Sequence, residues 1–204
     1  MAIKPILFNT EMVRAILDGR KDATRRIVKG FIPDDAVWGY TAFTPKGYIS
    51  CRGTFADGYG EKFFKLPCEP GDILYVRETW CKNPNYDEYY FKTRESGIAP
   101  YGLKWHPSIH MPKEAARIWL KVTDVRVERL QDMDWRDALD EGVNTQFPRD
   151  KTGEYIFDEN PIDDFIELWN STIKKSDIDR YGWNASPWVW VIEFERCEKP
   201  ACMR

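Results

Sequence analysis

The sequence predicts an α+β protein: a small closed or half-closed β-barrel with about three flanking helices. Three observations predict it. Aromatic and β-branched runs, broken by glycine and proline, fill residues 30–100. Three segments with helical apolar spacing stand apart from one another, at 9–19, 132–142 and 160–173. Strand-like runs lie at both ends of the chain, at 5–8 and 187–196, where they would help to seal a barrel.

The elements follow in order. "PILF" (5–8) is short and apolar, as a buried strand would be. "NTEMVRAILDG" offers Asn9 or Thr10 as a cap, Met12, Val13, Ile16 and Leu17 as one apolar stripe, and Gly19 as a stop. "VWGYTAF", "GYISCRGTF", "DILYVRETW" and "DEYYFKT" read as strands, with "TPKG", "ADGYG" and "EPGD" as turns. Residues 94–112 are rich in glycine and proline and read as a long ordered loop. "RIWLKVTDVRVERL" (117–130) alternates as a long strand. In "DMDWRDALDEGV", Asp132 or Asp134 caps a short helix that buries Trp135, Ala138 and Leu139 and stops at Gly142. Residues 143–160 are polar and read as a surface excursion. "NPIDDFIELWNSTI" has Asn160 as cap, Pro161 in the first turn and two aspartates at the positive dipole end, with Phe165, Ile166 and Trp169 facing inward. Residues 174–187 read as a loop before the strand "PWVWVIEFER".

A length of 204 residues fits one domain, 1–204. A globule of this size buries roughly 70% of its unfolded surface and needs no covalent staples. Nine tryptophans exceed what a core requires and leave one or two free to stack on a planar ligand. The net charge of −3 excludes a globally basic nucleic-acid binder, so any such role must rest on a local patch. Five cysteines, at 51, 68, 81, 197 and 202, form no C-x-x-C pair, and His106 and His110 have no cysteine nearby. No metal and no organic cofactor is expected, and the thiols are expected to be reduced. The first residues lack a signal-peptide profile and no window approaches a membrane span, so a cytoplasmic protein with no membrane partner is expected.

Four constellations could carry chemistry. Between residues 14 and 29 lie Arg14, Arg20, Lys21, Arg25, Arg26 and Lys29 against only Asp18 and Asp22. Such a cluster suits an anion, and Arg20, Arg25 and Arg26 are candidate substrate contacts; a solvated basic turn explains the same charges. Lys21 and Thr24, three apart, can approach in a helical turn or tight loop. A neutral lysine there would activate the hydroxyl as a nucleophile, and Arg20, Arg25 and Arg26 would hold the amine neutral first of all, with burial adding to this. Glu141, at the end of a helix against the negative dipole, suits a proton shuttle, or is simply an exposed glutamate. In "PGDILYVRETW", Arg77, Glu78 and Trp80 end an apolar strand and either face a barrel mouth or form a structural network. "KWHPSIHMP" offers Trp105, Ser108 and His110 as a pocket lid, or as packing.

Six segments in order, "ILDGRKDATRR", "PGDILYVRETW", "WHPSIHMP", "VTDVRVERLQDM", "DALDEGV" and "WNASPWVWVIEFER", resemble the ASCH-domain family, and its longer phage and prophage members in particular. The resemblance implies a PUA-like β-barrel and RNA or a modified nucleoside as partner. Small members of the family are amidohydrolases that remove the acetyl group of N4-acetylcytidine through the lysine and threonine of a G-R-K-x-x-T segment and a later glutamate. These positions fall on Lys21, Thr24 and Glu141, and Arg26 matches a further basic position of the motif. Residues 31–69 and 81–115 have no counterpart in the small hydrolases and read as insertions. The expected function is acyl transfer from the N4 of an acylated cytosine. A non-catalytic RNA- or base-binding module is the alternative, with Trp80 or Trp105 stacking, and a nuclease is a weaker one. The oligomeric state is not legible in the sequence.

Overall fold

The computed structural model describes residues 1–94, 99–143 and 160–201. The chain is α+β. In order it forms β1 (Ile3–Leu7), α1 (Thr10–Leu17), β2 (Ala23–Ile27), β3 (Val37–Gly39), β4 (Tyr48–Phe55), β5 (Gly58–Lys65), β6 (Ile73–Arg77), β7 (Trp80–Asn83) and β8 (Glu88–Phe91). Then follow β9 (Trp119–Arg129), α2 (Trp135–Asp140), α3 (Pro161–Thr172), α4 (Ile178–Tyr181) and β10 (Trp188–Cys197).

The main sheet has the order β1-β6-β9-β10-β2. β1 and β6 run parallel, and the remaining pairs are antiparallel. β9 and β10 form its long central ladder, with a register shift between Glu193 and Phe194; a bulge of this kind adds local twist and bend. The edges of the sheet are β1 and β2; of the two strands at the chain ends, β1 is an edge and β10 lies inside the sheet. Among the described residues no ladder joins β1 to β2. Arg26 spans the seam between them: its guanidinium donates to the Leu7 carbonyl at 2.8 Å and lies over the Phe8 ring at 5.3 Å.

Apolar residues fill both faces of this sheet. One core holds Ile6, Val13, Ile16, Leu74, Leu120, Val122, Ile192 and Phe194, closed at one side by Trp38. Trp38 stands edge-on to Trp188 and Trp190, at 5.7 and 6.3 Å, and thereby docks the separate β3-β4-β5 sheet on the main one. The other face carries Val189 and Val191 against Ala138 of α2 and Phe165 and Trp169 of α3. A third cluster joins Tyr75 and Trp119 to Phe91 and Met111.

Two strands depart from the sequence reading. β2, "ATRRI", looked like a turn because it is polar, yet Ala23, Thr24 and Arg25 are buried. β5, "GYGEKFFK", has a mostly exposed face and a glycine-rich start that reads as turn, and it forms a strand because β4 supplies eight consecutive register partners. The caps resolve to Asn9, Asp134 and Asn160, each accepting a backbone N–H of its helix. Residues 174–187 contain the single-turn helix α4. The polar excursion read at 143–160 lies almost entirely outside the described residues, as does Cys202. Cys51, Cys68, Cys81 and Cys197 carry thiols and not disulfides.

Candidate active site

Local backbone geometry brings position 21 to position 141. After α1, Gly19 takes a left-handed φ of 72°, and the N–H groups of Arg20 and Lys21 both return to the Ala15 carbonyl. The chain thus turns back on its own helix before entering β2. At the far end of α2, Gly142 takes φ 81°. A Cβ there would stand 2.7 Å from the Ala15 Cβ and 2.8 Å from the Lys21 Cβ. Only glycine admits this approach, and it seats the end of α2 on α1 so that Lys21 and Glu141 pair as an isolated antiparallel bridge.

Lys21 and Glu141 are buried in contact, with 1% and 6% of their side chains exposed. Lys21 Nζ donates to the carbonyls of Ala23 (2.7 Å) and Glu141 (2.8 Å) and meets Glu141 Oε2 at 2.7 Å. The two carbonyls can only accept, so they fix two of the nitrogen's hydrogens. One proton remains between Nζ and Oε2, held as ammonium–carboxylate or as amine–carboxylic acid. Burial pushes the lysine below its ordinary pKa; Glu141 opposes that shift, and Arg26 and Arg25 add to it. The guanidinium groups therefore contribute less to a neutral Lys21 than its removal from water does, which reverses the weighting drawn from the sequence.

Thr24 is buried on β2, opposite Ile192 of β10. It joins Lys21 and Glu141 in the wall of a cavity of about 190 Å³ at the β1–β2 seam, together with Phe8, Arg25, Arg26 and Trp169. Thr24 lies on a strand and not in the helical turn or tight loop that the three-residue spacing suggested. No hydrogen bond joins its hydroxyl to Lys21, and catalytic contacts of this kind often close only when substrate binds.

Little of the basic cluster is left to bind an anion. Arg14 pairs with Glu11 at 2.7 Å and Arg20 with Asp18 at 3.2 Å. Arg20 also donates to the Gly142 carbonyl and lines a separate groove. Arg25 is buried among carboxylates, 3.0 Å from Asp137, 3.5 Å from Glu141 and 3.7 Å from Glu128. These contacts miss hydrogen-bond geometry, and all three guanidinium nitrogens and Glu141 Oε1 remain without a hydrogen-bond partner. Glu141, the C-cap of α2, faces Lys21 and Arg25 rather than an open helix end. Arg26 is exposed, has no carboxylate within ion-pair distance among the described residues and lines the cavity.

The second group of sequence candidates sits elsewhere. Glu78, 1% exposed, accepts from Arg117 Nε and Nη2 at 2.9 and 3.0 Å and from Thr93 at 2.6 Å. Arg77 donates to the Ile109 carbonyl, tying the strand end to the turn that holds Ser108 and His110. Trp80 pairs with His106 through the backbone and by ring contact at 5.2 Å. Neither these residues nor Trp105 line the cavity. The structural-network reading of Arg77 and Glu78 accounts for these contacts.

The sequence reading passed over Phe8, Asn9, Met12, Phe165, Leu168, Trp169 and Thr172 as cavity residues. Phe165, Leu168, Trp169 and Thr172 follow the i, i+3, i+4, i+7 spacing of one helix face, which was visible, but which partner that face meets was not. Among the described residues no group of three His, Cys, Asp or Glu side chains is arranged to hold a metal ion, and no helix is long and apolar enough to cross a membrane. No protein-family model, no curated protein and no solved structure matches the chain.

Proposed function

We propose that the protein is an ASCH-like, PUA-like amidohydrolase that removes an acyl group from the N4 of a modified cytosine or its nucleoside by acyl transfer to Thr24. The observation that carries this reading is one cavity wall made of Thr24, Lys21 and Glu141, with Lys21 Nζ hydrogen-bonded to Glu141 Oε2 at 2.7 Å. Phe8, Phe165 and Trp169 give the same cavity aromatic faces suited to a planar base.

The reactive form is the amine–carboxylic acid tautomer. Substrate draws the Glu141 O–H toward the amide nitrogen, which frees the Lys21 lone pair to take the Thr24 proton. Thr24 Oγ attacks the carbonyl, the C–O bond forms, the C–N bond breaks, and Glu141 protonates the departing exocyclic amine. Lys21 is then an ammonium and Glu141 a carboxylate. In the second half-reaction water gives its proton to Glu141 and attacks the ester, while Lys21 returns a proton to Thr24. Amide and water become carboxylic acid and amine, and the pair regains its starting form. Arg26 supplies positive charge for the oxyanion, and one well-placed donor contributes about 3–4 kcal/mol to such a step.

Of the basic cluster that would serve the binding-module alternative, Arg14, Arg20, Lys21 and Arg25 face carboxylates. The test is release of acetate from N4-acetylcytidine and N4-acetylcytosine by the purified protein. Turnover abolished in Thr24→Val and Lys21→Met is the expected result. Full activity in Thr24→Val, or no hydrolysis of any N4-acylated cytosine, would remove the proposal.

A further inference from the structure

A second cavity, of about 300 Å³, opens on the other side of Arg26. It shares Leu7 and Arg26 with the first, so the Arg26–Leu7 hydrogen bond is the partition between them. Its walls are hydrocarbon and thiol: Pro5, Ile6, Leu7, Cys68, Leu74 and Ile192. Ile192 is the direct cross-strand partner of Thr24, and such partners hold their Cβ atoms about 5 Å apart. The cavity therefore begins beside the nucleophile.

We infer that this cavity receives the acyl chain of the substrate, so that the protein favours acyl groups longer than acetyl; the inference rests on the acyl-transfer reading of Thr24. A sugar does not suit the cavity. Ribose hydroxyls need acceptors, and the polar side chains at its rim are two cations that are already engaged. Lys4 lies 3.0 Å from Asp72 and donates to the Pro67 carbonyl, and Arg26 donates to Leu7. The cavity also holds Cys68, whose thiol burial pushes up to about 11, so it stays an uncharged apolar wall at neutral pH. The first cavity, with Asn9, Thr172 and three aromatic rings, takes the base instead. Arg26 at the partition then stands where the scissile carbonyl must lie. It exchanges the Leu7 carbonyl for the substrate oxygen, and that exchange opens the way for the chain.

The test titrates the wild-type protein with acetate, butanoate and hexanoate, the product acids, observed by NMR. Each added pair of methylenes is expected to tighten binding roughly tenfold, the increment for burying hydrocarbon. Affinities that stay flat or fall along the series overturn the inference. In Cys68→Phe, which fills the cavity, hexanoate is expected to bind no better than acetate; hexanoate binding as tight as in the wild type also overturns it. Hydrolysis of N4-acetyl-, N4-butanoyl- and N4-hexanoylcytosine is measured in parallel. Failure to cleave any of the three removes the proposed function, while the carboxylate series still decides the cavity. Cleavage of the acetyl compound alone, with flat carboxylate affinities, leaves the function standing and removes the acyl-chain site.

Discussion

Replacing Lys21 by methionine removes the cation from a pair that water barely reaches. Glu141 Oε2 loses its partner at 2.7 Å, and two buried carbonyls lose their donor. Breaking a buried pair from one side costs about 3–5 kcal/mol. Arg25, 3.5 Å from Oε1, remains to face the carboxylate, which places Lys21→Met near 3 kcal/mol on that scale. Glu141→Leu is expected to cost about the same. The double variant Lys21→Met/Glu141→Leu leaves no unpaired charge between the two positions, and Arg25 keeps Asp137 at 3.0 Å. Its cost should then be only about 2–3 kcal/mol, mostly the two carbonyls left without a donor. The two sites should therefore couple by about 3 kcal/mol, at the upper end for residues in contact. Urea denaturation of the four proteins, with unchanged m-values, measures this directly. At this chain length each kcal/mol also lowers the melting temperature by about 2–4 °C. A single variant costing under about 0.5 kcal/mol, as exposed pairs do, would refute the buried pair, and so would strict additivity.

Three further outcomes follow from the geometry. Asp140 has its pKa raised to about 6, by desolvation first and then by Asp22, Asp137 and Glu193, with Arg25 opposing. A raised carboxyl stabilises the native state below the unfolded value near 3.8 and loses that contribution as pH rises through about 6. Asp140→Asn should thus melt about 1–2 °C higher than the wild type at pH 7.5, a small gain because the residue is solvent-exposed, and the difference should close toward pH 4. Gly142→Ala must fit a methyl against Ala15 and Lys21 at a left-handed φ. Strain and overpacking together cost about 2–4 kcal/mol, and calorimetry with acyl-cytosine kinetics should show lost stability and lost turnover together. Glu78→Ala leaves Arg117 and Thr93 without their carboxylate and should cost about 3–5 kcal/mol. Its KM for an acylated cytosine should not change, because Glu78 lies outside the cavity; a raised KM would return it to the site.

The sequence by itself determined the α+β class and the strands and helices whose stripes and caps are local. It placed the helix starts at Asn9 or Thr10, at Asp132 or Asp134 and at Asn160, and stops at the glycines at 19 and 142, because capping depends on residues only a few positions away; the structure chose Asn9 and Asp134. It also singled out Lys21, Thr24 and Glu141 as chemistry-bearing types. Tertiary structure alone decided that residues 120 positions apart in sequence touch, that Arg25 and Arg20 face carboxylates, and that Arg77, Glu78 and Trp80 find their partners away from the cavity. It made a strand of β2, whose polar sequence hides its burial, because pairing with β10 satisfies the backbone while carboxylates from β9 and α2 face Arg25. It also set β1 and β2 as the sheet edges, and the cavities lie along the seam where no ladder closes. The physical reason is range. Helix propensity and turn chemistry act over a few residues and are written in the local sequence, whereas burial of charge and the shape of a cavity depend on which distant segments the fold brings together.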